Sequence, residues 1–173
     1  MNESLQQRLA AIRLLAMDVD GTLTDGAMYY SAEGDAMKRF DTRDGMGITL
    51  LHLAGIHTAI ITSETTSIVQ KRSEKLRIPH VYLGAKKKNE VLAELCEKLG
   101  LTFEEIAYIG DDINDIPAMQ TGVLAVCPAD AVESVRIVAS YICSKQGGHG
   151  AVRELAEMIL IAQGHSIVLP EQW

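Results

Sequence analysis

Residues 12–26 read Ile-Arg-Leu-Leu-Ala-Met-Asp-Val-Asp-Gly-Thr-Leu-Thr-Asp-Gly. The stretch Ile12–Val19 is short and almost wholly apolar, and it breaks into Asp18, Asp20 and Gly21. A continuous apolar run of this length suits a strand covered on both faces. Four further runs of the same kind follow: His57–Thr62, His80–Leu83, Ile106–Gly110 and Val123–Val126. Helical patterns fill the gaps at Gly47–Ala54, Thr65–Leu76, Asn89–Leu99 and Ala151–Gln163. Val91, Leu92, Leu95 and Leu99 lie on one helical face, and Gly100 follows as a C-cap. Thr102 and Glu105 have the spacing of a capping box opening a helix. Strands alternating with helices predict an α/β fold, a three-layer doubly wound parallel sheet with right-handed crossovers.

One segment departs from that rhythm. Ala27–Phe40 holds two β-like runs around the turn-rich Ser31-Ala32-Glu33-Gly34-Asp35, which predicts an inserted β-hairpin. The 173 residues read as a single domain, with the hairpin at 27–40 and a tail at 165–173 that carries the only tryptophan. That apolar tail is expected either to be disordered or to dock on a surface.

The net charge of −7 argues against a nucleic-acid partner, although a local site can still take an anion. The three cysteines, Cys96, Cys127 and Cys143, form no CxxC pair and read as buried thiols. The polar start lacks a secretory core, and no apolar run approaches the ~20 residues of a membrane helix. The expected location is the cytoplasm, with no membrane partner.

In doubly wound sheets, ligands bind at the carboxyl ends of the strands. The first strand delivers Asp18 and Asp20 there, the second Thr62 and Ser63, and the fourth Asp111 and Asp112 with Asp115 one turn on. Lys86, Lys87 and Lys88 lie in the loop that opens the next helix. Clustered carboxylates repel one another unless a cation sits among them. Their hard oxygens suit Mg²⁺, which is commonly shared with a substrate phosphate. A hydroxyl and a lysine suit the phosphoryl oxygens, so the set points to phosphoryl transfer. Asp18 has the position of a nucleophile and metal ligand, and Asp20 that of a general acid and then base. Taken singly, Asp111, Asp112 and Asp115 could equally be first-turn helix acids, and the lysine run a solvated face.

Read together, these residues resemble the haloacid dehalogenase-like phosphatases. Asp18-Val19-Asp20-Gly21-Thr22, Ala59-Ile60-Ile61-Thr62, Lys88, and Gly110-Asp111-Asp112-Ile113-Asn114-Asp115 match the four motifs of that family. Leu23–Gly26, the hairpin, the run from Phe40 to Arg43-Asp44-Gly45, and Gly147–Glu154 extend the likeness to phosphatases of 3-deoxy-keto-sugar acid phosphates. The resemblance implies that Asp18 forms an aspartyl-phosphate and that Asp20 protonates the leaving alkoxide and then activates water. It implies Mg²⁺ on Asp18, the Asp20 carbonyl and Asp111, with Asp112 or Asp115 behind them. Thr62 and Lys88 would hold the phosphoryl group, with Ser63 and Arg43 toward the substrate. About 35 residues separate Asp20 from the next strand, too few for a cap domain. In the resembling enzymes a homotetramer closes each site, with the hairpins assembled into a barrel.

The implied substrate is 3-deoxy-D-manno-octulosonate 8-phosphate, a lipopolysaccharide precursor. A departure keeps an alternative open. The octulosonate enzymes usually read Thr-Gly-Arg where this chain has Thr62-Ser63-Glu64. Glu64, with Arg72 and Lys75 on the following helix, looks more like the sialic-acid-type nonulosonate 9-phosphate enzymes. The last two could meet a substrate carboxylate across an interface, or all three could be a helix-surface charge set. Arg153 and His149 are open between substrate contact and local pairing. A phosphoacceptor signalling domain also gathers acids, a threonine and a lysine on a parallel sheet, but there the paired acids and the acceptor come in another order. A non-catalytic scaffold would not need the full set.

Overall fold

The computed structural model of the chain describes residues 3–169. In chain order the elements are α1 (Glu3–Ala11), β1 (Leu14–Met17), β2 (Tyr29–Ser31), β3 (Gly34–Met37), α2 (Thr42–Leu53), β4 (His57–Ile61) and α3 (Ser67–Leu76). There follow β5 (His80–Tyr82), α4 (Lys88–Leu99), β6 (Ile106–Ile109), α5 (Ile116–Met119), β7 (Leu124–Cys127), α6 (Glu133–Val138), β8 (Tyr141–Ile142) and α7 (Ala151–Ala162). Six strands form one parallel sheet in the order β5-β4-β1-β6-β7-β8, and β2 pairs with β3 as a separate antiparallel hairpin.

The sheet is a middle layer because its strands are apolar on both faces. Along β1, Leu15 and Met17 join one core with Ile48 and Leu51 of α2 and Leu155 and Ile159 of α7. Leu14 and Ala16 point the other way and join Leu92 and Leu95 of α4 and Val135 of α6. This alternation follows from the two-residue period of a strand. Each fully buried Leu or Ile contributes roughly 1.5–3 kcal/mol, so the central strands anchor whatever is attached to their ends.

The structure extends the sequence reading in identifiable places. α2 begins at Thr42 rather than Gly47, capped by Asp41, whose side chain accepts from the Arg43 N–H at 2.7 Å. Its glycines are there for packing. A Cβ on Gly47 would stand 3.0 Å from the backbone of Arg153, where α7 crosses α2. Thr102–Glu105 does form a capping box, but on a single 3₁₀ turn that leads straight into β6. α1 has just one fully buried residue, Leu9, and β8 spans just two residues, so neither left a periodic signal. All three cysteines are buried and free. Ile167 packs on the core, while Val168 and Leu169 are exposed; the rest of the tail, with Trp173, lies outside the described residues. No helix among the described residues is long and apolar enough to cross a membrane.

Candidate active site

The chain leaves β1 for β4 and β5 on one side, then returns across the sheet to β6 on the other. The strand order therefore reverses beside β1, and the loops after β1, β4 and β6 open a crevice there. It holds a cavity of about 370 Å³ lined by Asp18, Asp20, Thr62, Ser63, Glu64 and Asp111, among others.

Asp18 follows β1 directly and is tied to the sheet by its N–H, which donates to the Ile109 carbonyl at 3.0 Å. Its Oδ1 lies 2.6 Å from Lys88 Nζ. Lys88 is the first residue of α4, and its side chain is fully buried. The same ammonium lies 2.6 Å from Asp115 Oδ1. Burial pushes it toward neutrality, but Asp18 and Asp115 outweigh that and raise its pKa. Asp115 is itself fully buried and uses both oxygens. Oδ1 accepts from Lys88 and from Tyr108 OH at 2.7 Å, and Oδ2 accepts from the N–H groups of Asp111 (3.0 Å) and Asp112 (3.3 Å). Burial and Asp115 hold the Tyr108 pKa well up, so it remains a phenol donor.

Asp111 approaches from β6, and its Oδ1 accepts from Thr22 Oγ1 at 3.1 Å. That approach requires glycine at position 21: its φ is +86°, and a Cβ there would stand 2.0 Å from Asp111 Oδ2. Carboxylate oxygens of Asp18, Asp111 and Asp115 lie within 4.8 Å of one another. Burial, then the Asp115 charge, pushes the Asp18 pKa up to about 8. The same two causes push Asp111 up to about 7. One ammonium among three carboxylates leaves the pocket short of positive charge. Asp18 and Asp111 each have one oxygen engaged, by Lys88 and Thr22, whereas Asp115 has both engaged by four donors. The arrangement therefore fits a divalent cation on Asp18 and Asp111, with Asp115 orienting the groups around it.

The remaining candidates divide. Thr62 is buried, and its Oγ1 accepts from the Glu64 N–H at 3.2 Å, which shapes the loop after β4. Ser63 Oγ donates to the Ala85 carbonyl at 3.2 Å. Asp112 is exposed and caps the short 3₁₀ turn at Ile113–Asp115 by accepting from the Ile113 N–H. Three of the substrate candidates are not brought to this cavity within one chain. The Arg72 guanidinium lies 5.3 Å from the centre of the Phe40 ring, and its Nη2 donates to the Asp41 carbonyl at 3.2 Å, so it fastens α3 to the start of α2. Lys75 is exposed on α3. Arg43 lines a second hollow of about 320 Å³ with Lys145 and His149. Arg153, beside that hollow, pairs with Glu157 at 2.7 Å.

Two residues emerge that sequence reading did not single out. Tyr108 sits in an otherwise aliphatic strand, and a buried tyrosine there signals that its hydroxyl needs a partner. Lys38, just past β3, places Nζ 2.6 Å from Asp20 Oδ1 with its side chain wholly buried. Nothing in the local sequence separates Lys38 from a surface lysine.

The haloacid dehalogenase-like hydrolase family matches residues 41–122. The chain is 40% identical over 164 residues to the 3-deoxy-D-manno-octulosonate 8-phosphate phosphatase KdsC of Haemophilus influenzae, covering 95% of this chain and 91% of that one. It is 42% identical over 153 residues to KdsC of Escherichia coli K12, covering 88% and 81%. Among solved structures, the Moraxella catarrhalis 3-deoxy-D-manno-octulosonate 8-phosphate phosphatase in complex with magnesium ion, phosphate ion and KDO superimposes with a TM-score of 0.91 at 40% identity, covering 95% of this chain and 94% of that one.

Proposed function

This chain belongs to the haloacid dehalogenase-like hydrolases, and from that premise we propose that it hydrolyses 3-deoxy-D-manno-octulosonate 8-phosphate through an aspartyl-phosphate on Asp18. The observation that carries this reading is the pairing of a buried Asp18, held by Lys88, with Asp20 two residues on in the same cavity. It is joined to near full-length likeness to phosphatases named for that substrate.

The chemistry assigns separate work to each residue. Asp18 attacks phosphorus as the bridging P–O bond breaks. Asp20 gives its proton to the departing sugar alkoxide, which would otherwise leave as a strong base. Asp20 then takes a proton from water as the water attacks phosphorus and the bond to Asp18 breaks, restoring both carboxyl groups. Lys88 keeps Asp18 aligned and places positive charge beside the phosphoryl oxygens, and Thr62 adds a hydroxyl at the end of β4. Asp18, the Asp20 carbonyl and Asp111 would hold a divalent cation, taken here as Mg²⁺, which would supply charge neutralisation for the incoming phosphate.

Met28, Tyr29, Tyr30 and Met37 are exposed on or beside the hairpin, an apolar surface that supports burial between copies as a homotetramer. In that assembly Arg43, Arg72 or Lys75 of one subunit would face its neighbour. The proposed setting is the cytoplasmic synthesis of the lipopolysaccharide sugar.

Glu64 on the cavity wall supports a second reading, a nine-carbon keto-sugar acid 9-phosphate as substrate. Phosphate release in the presence of Mg²⁺ from the octulosonate 8-phosphate and from N-acetylneuraminate 9-phosphate, side by side, tests both. A clear preference for the first is expected. A preference for the second would transfer the substrate assignment, and release from neither would overturn the proposal.

A further inference from the structure

We infer that Lys38 is a positioning residue, delivered by the hairpin, that fixes the orientation of the Asp20 carboxylate. The inference rests on the acid–base role proposed for Asp20. Lys38 Nζ lies 2.6 Å from Asp20 Oδ1, with its side chain fully shielded from solvent. The same Nζ lies 3.4 Å from Met28 Sδ, a weak acceptor. An ammonium removed from water toward one carboxylate holds that carboxylate firmly, because the shielded ammonium has no other charged partner among the described residues. The geometry leaves the second oxygen available. Asp20 Oδ2 is one of two buried side-chain atoms among the described residues that have no hydrogen-bond partner. Asp20 also lines the cavity. One oxygen is clamped, and the other remains for a proton in transit.

The clamp is itself braced. The next residue, Arg39, donates to the Gly148 carbonyl at 2.9 Å and lies 3.6 Å from Asp25 Oδ2. Phe40 then pairs with Thr24 in an isolated antiparallel bridge. The return strand of the hairpin is therefore fastened next to Lys38, to the loop that carries Asp20. By contrast, β2 and most of the hairpin surface are exposed. Lys38 ties this exposed arm to the acid–base group.

Leaving-group dependence tests the assignment. An alkoxide needs a proton as it departs, whereas p-nitrophenolate leaves without one. The ratio kcat/KM reports the chemistry up to formation of the aspartyl-phosphate. Lys38→Met should lower kcat/KM for the sugar phosphate about 10–100-fold, a part of what acid catalysis supplies, and leave p-nitrophenyl phosphate within about 3-fold. Lys38→Arg should recover part of the loss. In an Asp20→Asn background, Lys38→Met should add no further loss for the alkyl substrate, since the two act as one unit. Equal losses on both substrates, no loss on the sugar phosphate, or losses that add in the double variant would each overturn the inference. So would failure of both Lys38→Met and Lys38→Gln to fold, judged by circular dichroism, since Lys38 would then be structural. If the wild-type protein does not cleave the octulosonate phosphate, the substrate assignment fails. The alkyl-to-aryl comparison then still decides the role of Lys38 with any alkyl phosphate the enzyme does hydrolyse.

Discussion

Two lysines pair with the two carboxylates proposed as catalytic, and they are mounted on different kinds of structure. Lys88 begins a twelve-residue helix packed against the sheet and contacts both Asp18 and Asp115. Lys38 follows a hairpin whose first strand is exposed throughout, and Asp20 is the one carboxylate it pairs with among the described residues. The proposed nucleophile thus follows a strand that joins both cores. The proposed acid–base group is held from an arm whose strands bury no residue of their own. Group transfer to a fixed carboxylate gains from rigidity.

The largest effect that would break this comparison is at the nucleophile. Asp18→Asn should lower steady-state turnover by at least about 10⁴-fold, because no other carboxylate in the cavity has both the position and a free oxygen. Asp20→Asn should cost less, about 10²–10⁴-fold, since it removes proton transfer and leaves the attacking group intact. Phosphate release under single-turnover and steady-state conditions distinguishes them. If Asp20→Asn were the more damaging, the nucleophile would have been placed on the wrong residue.

The next effect sharpens the contrast in stability. Lys88→Met strands Asp18 and Asp115 in a buried site, and removing one partner of a buried ion pair costs about 3–5 kcal/mol. Lys38→Met leaves an Asp20 side chain that is 23% exposed and can hydrate, so its cost should resemble a surface pair, about 0–1 kcal/mol. Urea unfolding in the absence of metal reads both. Equal costs would mean that the hairpin is as much a part of the folding unit as α4.

The same division explains what could be read from the sequence. The strand runs around Leu15, Ile60 and Ile109 are legible because strands buried on both faces have continuous apolar character. Once those strands are placed, the meeting of Asp18, Thr62 and Asp111 at one edge follows from topology alone. Lys88 is visible only through its motif, since the adjacent Lys86 and Lys87 are chemically identical and point elsewhere, to the Ser63 carbonyl and to Glu90. The start of α2 is hidden by Gly45 and Gly47, whose helical placement depends on Arg72 and on α7, residues far off in sequence. Lys38 and Tyr108 are invisible for a related reason: their partners, Asp20 and Asp115, are set by tertiary geometry that no local period records. The grouping of Arg43, Arg72 and Lys75 with the substrate follows from resemblance, and no local pattern reveals that the Arg72 guanidinium stacks on Phe40 and donates to the Asp41 carbonyl.

The smallest effect concerns protons and metal in the rigid half of the site. The folded-state pKa of Asp18 is raised from 3.8 to about 8, and that of Asp111 from 3.8 to about 7. A carboxyl whose folded pKa lies above its unfolded value contributes stability that is fully present below the unfolded value. That contribution is lost as pH rises through the folded value. Metal-free protein should therefore lose thermal stability progressively from about pH 4 to about pH 8. Mg²⁺ requires the ionised forms, so its stabilising effect should be slight at pH 5.5 and largest near pH 8.5. At a concentration of about 100 times Kd it is worth about 2.7 kcal/mol, or roughly 5–10 °C in Tm for a chain of this size. Thermal melts with and without Mg²⁺ across that range, on the wild type and on Asp111→Asn, provide the check. Asp111→Asn should flatten both the metal-free pH dependence and the Mg²⁺ shift, while Lys38→Met should preserve both. If Lys38→Met flattened them equally, the hairpin lysine would be acting on the carboxylates proposed to hold the metal, and the two halves of the site would be one.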